Sequence, residues 1–260
     1  MVTPFGHPQP SRTLDRWAAV RERARTWEPP TVPTVVVVPH PDDEALATGG
    51  LIRRQTARGV PVVVLAVTDG EAAYPWVEHT ALARLRRQEQ RAALAALGLT
   101  APARRLALPD GRVAEHEADL TDVIADHCRD AGLVVAPWTR DHHPDHEACG
   151  RAARLAAQRH GVAVAQSLFW AWHHRDPADF AQEQLLALEL SAGEQQWRWL
   201  AVACHRTQVT DEVTARQVIS VRDLESLWWP TEYYVAARSA PTSNGPKEPQ
   251  ESSFVGDELG

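Results

Sequence analysis

The chain has 260 residues, 44% of them hydrophobic, and a formal net charge of −7. That is enough for a full core in one large or two small domains, while the acidic balance argues against a nucleic-acid groove as a partner site. No apolar run approaches the roughly 18 to 20 residues of a membrane span, and the first residues lack the basic and apolar blocks of a signal peptide, so a cytoplasmic location is expected.

Residues 1–33 are punctuated by proline and read as a lead-in segment, with one helix around Ser11 to Trp27 capped by Ser11. Val35 to Val38 is a β-branched run of strand length and predicts a buried parallel strand. Ala45 to Arg58 reads as a helix ended by Gly59, Val60 to Val67 as a second strand, and Thr80 to Leu97 as a helix stopped by Gly98. Arg105 to Leu108 predicts a weak third strand and Glu115 to Arg129 a helix. Leu133 to Ala136 predicts a fourth strand, Glu147 to Gly161 a helix, and Val162 to Trp172 a fifth strand. Beyond His173 the periodicity weakens to a helix over Trp197 to Cys204 and a Trp228-Trp229-Pro230 cluster. Residues 239–260 are rich in Pro, Ser, Gly and Glu and are expected to be disordered. Alternating strands and helices predict right-handed βαβ units, a parallel sheet covered on both faces, and one α/β domain over 34–238.

Two strand ends carry the same kind of chemistry. The first runs into His40-Pro41-Asp42-Asp43-Glu44 and the fourth into His143-Pro144-Asp145-His146. In a parallel sheet all carboxyl ends lie on one edge, so residues about a hundred apart in sequence converge there. Asp42 or Asp43 alone could cap the next helix, but capping uses one carboxylate and does not account for His40. Two imidazoles and a carboxylate are a sufficient protein set for a catalytic zinc, and His40, Asp43 and His146 form that set here. Asp42 and His143 then stand beside the metal as general base and as the imidazole that stabilises an oxyanion and protonates the leaving amine. Asp145 is placed to hold His143 in its charged form.

The strand followed by HPDDE, the TDGE that ends the second strand (Thr68 to Glu71), and the APW–HPDH that ends the fourth resemble the PIG-L/LmbE-like deacetylase family over about Thr34 to Ala165. A fainter echo lies at His205 to Gln208. The resemblance implies a Rossmann-like three-layer α/β sandwich with a mostly parallel sheet. It also implies zinc-dependent removal of an N-acetyl group from a small amino-sugar conjugate. By position it implies His40, Asp43 and His146 as ligands, Asp42 as base and His143 as the assisting imidazole. Where some members of the family carry a tyrosine two residues before the first His of HPDH, this chain has Asp141.

Further residues are candidates for substrate contact. Glu71 and Asp110 end the second and third strands, Trp76 and Trp138 offer indole faces in edge loops, and His205 lies in the fainter echo. Arg86 and Glu89, three apart on a helix, read as an exposed ion pair. Cys149 reads as a small packed hydrophobe. With Cys128 and Cys204 it makes an odd, widely spaced set that fits a reducing compartment. Two readings compete with the zinc hydrolase: an iron(II) oxygenase using the same two imidazoles and carboxylate, and a binding module without catalysis. Dinucleotide binding is disfavoured because no Gly-x-Gly-x-x-Gly follows the first strand. Trp228-Trp229 is a candidate contact between copies in a homo-oligomer.

Overall fold

The computed structural model describes residues 15–237, so the predicted tail at 239–260 and the start of the predicted Ser11–Trp27 helix lie outside the described residues. The strands are β1 (Arg25–Thr26), β2 (Thr34–Val38), β3 (Val62–Ala66), β4 (Arg104–Arg105), β5 (Leu133–Pro137), β6 (Ala163–Ser167), β7 (Leu185–Glu189) and β8 (Thr231–Ala236). The α-helices are α1 (Ala18–Glu22), α2 (Asp43–Ala57), α3 (His79–Ala96), α4 (Glu117–Cys128), α5 (Pro144–His160), α6 (Ala171–His174), α7 (Ala192–Cys204) and α8 (Arg206–Val209).

The strands form one sheet in the order β1-β7-β8-β6-β5-β2-β3-β4, parallel except where β8 meets β6 and β7. The β2 strand is buried along its whole length because both faces are covered. Val36 and Val38 pack with Leu51 and Ile52 of α2, Leu94 of α3 and Trp199 of α7. Val35 and Val37 face Leu120 and Ile124 of α4 and Ala152 and Ala156 of α5 on the other side. This is the expected three-layer α/β arrangement. The chain leaves β2 towards β3 and β4, then returns to place β5 on the other side of β2. That reversal opens a crevice at the carboxyl ends of β2 and β5, the usual ligand position in such sheets.

Several elements differ from expectation for identifiable reasons. The predicted first helix shrinks to α1, and Arg25–Thr26 instead pairs in parallel with β7 at the sheet edge. The fifth strand stops at Ser167 because the Asp141 carboxylate accepts the amides of Phe169 (3.2 Å) and Ala171 (3.0 Å) and turns the chain into α6. Helix α5 begins at Pro144, so His146 lies on its first turn. The β7 strand was not expected, since Leu185-Leu186-Ala187-Leu188-Glu189 is built mostly of helix formers, and its pairing with β8 overrides that preference. Among the described residues no helix is long and apolar enough to cross a membrane.

The middle of α2 is gripped by a buried ion pair. Glu232 on β8 accepts the amides of Gly50 (2.6 Å) and Leu51 (2.9 Å) and the Tyr234 hydroxyl (2.8 Å). Arg198 on α7 lies 3.3 Å from the same carboxylate and donates to the Leu46 carbonyl at 2.6 Å. The approach needs a helix surface without side chains, because a Cβ on Gly50 would overlap Leu190 Cδ2 and one on Gly49 would meet Arg198 Cγ at 3.0 Å. Gly50→Ala is therefore expected to destabilise the protein by about 1–3 kcal/mol through overpacking, measured by urea denaturation. The cost should shrink when Leu190→Ala is made in the same chain.

Candidate metal centre

The crevice between β2 and β5 collects His40, Asp42, Asp43, His143 and His146, as the repeated strand-end pattern predicts. Asp43 opens α2, and its Oδ2 accepts the His40 amide at 3.0 Å. The same oxygen lies 3.3 Å from His40 Nδ1 and 3.2 Å from His146 Nε2. Donor atoms held at zinc bond lengths in a tetrahedral shell are separated by about 3.3 Å. His146 Nε2 is buried and makes no hydrogen bond, while its Nδ1 lies 2.9 Å from Asp141 Oδ2. A carboxylate on one ring nitrogen and an orphaned lone pair on the other are the arrangement of a metal-ligating histidine. His40 is held similarly: Nε2 lies 3.2 Å from Asp110 Oδ1 and 3.3 Å from Asp145 Oδ2, leaving Nδ1 beside Asp43. The donor set fits a divalent cation. His143 also offers a ring nitrogen, since one ligand atom each from His40, His143 and His146 falls within 4.8 Å of the others. Its Nδ1, however, accepts the Asp145 amide at 3.3 Å as the cap of α5.

The electrostatics follow from packing charges in a buried place. Burial alone would raise Asp43, but the nearby His146 and His40 imidazoles hold it well below the usual carboxylate range. Burial works against protonation of His146, yet Asp43 and Asp141 lift it to about 9. Burial dominates for Asp42 and pushes it up to about 7, with the Arg86 guanidinium opposing. Burial, reinforced by His40 and His146, pushes His143 down to about 3. That direction disfavours the cationic ring expected from sequence.

Asp42 pays a conformational cost for its position: its φ is 146°, a region that costs a non-glycine residue about 1–3 kcal/mol. It makes no side-chain cap to α2. Instead Glu44 Oε2 accepts its amide at 3.2 Å, and Arg86 Nη2 donates to its Oδ2 at 3.1 Å and to the Pro41 carbonyl at 2.8 Å. Nη1 of Arg86 donates to the Gly70 carbonyl at 2.7 Å. Gly70 has φ +64°, and a Cβ there would overlap the guanidinium.

Arg86 was expected to pair with Glu89 at the surface, yet it is 2% exposed and braces Asp42. The signal lay in the helix: Leu82, Arg86, Gln90, Ala93 and Leu94 form one buried stripe at helical spacing. Glu89 binds Thr207 instead, accepting its amide at 2.8 Å and its hydroxyl at 2.6 Å. Asp145 also departs from its expected place. Its carboxylate accepts the Gly111 and Val113 amides at 2.8 and 3.1 Å and reaches His40, and only its backbone meets His143.

The candidate substrate residues separate into two groups. Asp110 borders a cleft of about 300 Å³ with His40 and His143. Glu71 accepts the Asp110 amide at 3.0 Å and fixes that turn. Trp76 is 56% exposed and donates to the Thr214 carbonyl at 3.2 Å. Trp138 is buried and stacks on Phe180 at 4.7 Å, in an apolar cluster with Trp17 and Trp172, so its ring serves packing. His205 is also buried, with Nε2 2.9 Å from Glu44 Oε1, behind Asp42 and away from the cleft lining. Cys149 is packed in the core as expected.

Comparison with known proteins places this geometry in context. The family model described as PIG-L, GlcNAc-PI de-N-acetylase, matches residues 35–157. A "Probable N-acetyl-alpha-D-glucosaminyl L-malate deacetylase 2" from Bacillus cereus is 31% identical over 152 residues, covering 51% of this chain and 68% of that protein. A 1D-myo-inositol 2-acetamido-2-deoxy-alpha-D-glucopyranoside deacetylase from Mycolicibacterium gilvum is 29% identical over 252 residues, covering 76% and 88%. The solved A40926 pseudoaglycone deacetylase shares the fold, with a TM-score of 0.61 at 22% identity over 81% of this chain and 99% of that one. The N,N'-diacetylchitobiose deacetylase of Pyrococcus horikoshii does so with a TM-score of 0.58 at 18% identity over 81% and 87%. The matched segment begins in β2 and ends in α5, spanning both strand-end loops of the crevice, and the chain belongs to the PIG-L family of de-N-acetylases.

Proposed function

We propose that the protein is a zinc-dependent hydrolase that removes an N-acetyl or related N-acyl group from a small amino-sugar conjugate. The observation that carries the metal is the orphaned, buried Nε2 of His146 beside an Asp43 oxygen that also approaches His40. The sugar conjugate is supported by the activities for which the relatives are named. Family membership favours hydrolysis over the iron-oxygenase and binding-module readings.

His40, Asp43 and His146 would hold the metal, with Asp145, Asp110 and Asp141 fixing the two imidazoles from behind. When bound, zinc would supply a Lewis acid that lowers the pKa of water to near 7 and polarises a carbonyl oxygen. Asp42 then serves as the base. Arg86 occupies its Oδ2, so the proton is taken at Oδ1. His143 accepts the Asp145 amide at Nδ1, which assigns the ring hydrogen to Nε2 in the neutral tautomer. That N–H, in the cleft lining, is the donor for the oxyanion formed as the amide carbon becomes tetrahedral. The proton gathered by Asp42 supplies the departing amine nitrogen, completing C–N cleavage.

Three outcomes follow. Asp42→Asn should retain wild-type metal content and lose about 10²- to 10⁴-fold in kcat, read as acetate released from N-acetylated glycosides alongside elemental analysis. Wild-type turnover in this variant would remove Asp42 as the base. His146→Ala should lose both metal and turnover; full metal content would exclude it from the ligand set. Asp141→Asn keeps a carbonyl to accept the Phe169 and Ala171 amides, but weakens the hold on His146. Its zinc affinity should fall about 10- to 100-fold in a chelator competition, with the folded far-ultraviolet spectrum preserved.

A further inference from the structure

Arg86 and Glu89 stand one turn apart on α3, and each reaches away from its own helix to fix a residue of the cleft wall. Arg86 braces Asp42, while Glu89 accepts the Thr207 amide at 2.8 Å on Oε1 and the Thr207 hydroxyl at 2.6 Å on Oε2. A carboxylate only accepts, so the hydroxyl hydrogen of Thr207 is committed to Glu89. Thr207 Oγ1 can then meet its other neighbour, Gln208, only as an acceptor. Gln208 Nε2 lies 2.9 Å from that oxygen, so the chain from Glu89 through Thr207 assigns which end of the Gln208 amide is nitrogen.

Gln208 is 1% exposed and lines the cleft with Asp42 and His143. Its backbone is pinned at both ends: its amide donates to the His205 carbonyl at 2.9 Å, and its carbonyl accepts the Ile219 amide at 3.0 Å. The Tyr74 hydroxyl donates to the Thr207 carbonyl at 2.6 Å, so the loop after β3 also holds α8 in place. With Nε2 engaged by Thr207, the remaining polar atom is Oε1, and no group among the described residues donates to it. Buried acceptors are rarely left unpaired, so an acceptor in this wall points to a donor on the ligand.

We propose that Gln208 Oε1 accepts the N–H of the scissile amide, and that this contact selects N-acyl over O-acyl substrates. The proposal rests on the deacetylase reading above and adds the group that recognises the nitrogen. A secondary amide is planar, and in its trans form N–H and C=O point to opposite edges. His143, which donates to the carbonyl oxygen, caps α5 on one face of the sheet, whereas Gln208 is tied to α3 on the other. An amide lying across the cleft thus presents its oxygen to His143 and its hydrogen to Gln208. Holding the N–H also leaves the nitrogen lone pair, which appears as the carbon becomes tetrahedral, open to the proton carried by Asp42. Glu89 and Thr207 are positioning residues, because they decide which end of the Gln208 amide meets the substrate.

The test compares two probes on the zinc-loaded full chain, methyl 2-acetamido-2-deoxyglucoside and methyl 2-O-acetylglucoside. The two carry the same free hydroxyls and differ only in N–H against oxygen at the scissile bond. In Gln208→Leu, kcat/KM for the amide should fall about 10- to 100-fold further than for the ester, the effect of one hydrogen bond lost inside a site. Glu89→Gln should lower the amide-to-ester ratio with Gln208 still present. Its new NH2 donates to Thr207 Oγ1, the Thr207 hydroxyl hydrogen passes to Gln208, and the Gln208 amide reverses. This second variant carries the test if the far-ultraviolet spectrum shows that Gln208→Leu does not fold. If the wild type binds the ester without turning it over, the ester's inhibition constant against the amide replaces its kcat/KM. An equal fall for both probes would assign Gln208 to packing or to a sugar hydroxyl and overturn the proposal, as would an unchanged amide-to-ester ratio. Cleavage of neither probe by the wild type would instead remove the deacetylase reading.

Discussion

The carboxylate of Asp43 is the contact on which the crevice depends. It stands on the first turn of α2, lies within 3.3 Å of imidazoles from two different strand-end loops, and receives the His40 amide as well. Without an anion there, His40 and His146 would be two buried rings with their nitrogens facing each other's fields. With it, the loops after β2 and β5 are drawn onto one centre at the point where the sheet reverses its order. The distant carboxylates Asp110, Asp141 and Asp145 complete the arrangement by occupying the outward nitrogens.

Around that contact the protein keeps charge buried by pairing each group. Arg86 meets Asp42, His205 meets Glu44, and Arg198 meets Glu232. Buried pairs of this kind contribute little net stability, because desolvation offsets their attraction, but removing one partner leaves an uncompensated charge. Their effect here is positional. Arg86 and Glu44 together hold Asp42 at a backbone angle it would otherwise avoid, and Glu232 and Arg198 lock α2, which carries Asp42 and Asp43 at its start. The strain at Asp42 is thus borne by Arg86 on α3, far from β2 in sequence, and by Glu44 on α2, which His205 holds in turn.

Much of this is legible in the amino-acid sequence. The valine runs, the glycine stops and the alternation of strand and helix were local patterns, and they described the central parallel sheet correctly. The repeated His-Pro-Asp at two strand ends pointed to one edge because parallel topology leaves no other place for it. Side-chain direction was not legible. Trp138 follows a strand end as a ligand-facing residue would, but its ring turns into the core against Phe180. His205 lies in a loop-like stretch yet is buried against Glu44, and Asp145 serves His40 rather than the neighbouring His143. Arg86 looked like half of a surface ion pair because i,i+3 spacing is visible in sequence, whereas a partner 44 residues away is not.

The sequence by itself determined the fold class, the edge of the sheet on which the chemistry lies, and the residue types available to it. These follow from periodicity and from the one-sided geometry of parallel strands, both of which are properties of short segments. Tertiary structure alone decided which carboxylate supports which imidazole, which guanidinium braces Asp42, and that β7, built from helix-forming residues, pairs as a strand. It also joined the loop after β3 to the segment after α8, through Trp76 and the Thr214 carbonyl. Those outcomes depend on contacts between residues tens to hundreds of positions apart, and such contacts exist only once the chain has closed on itself.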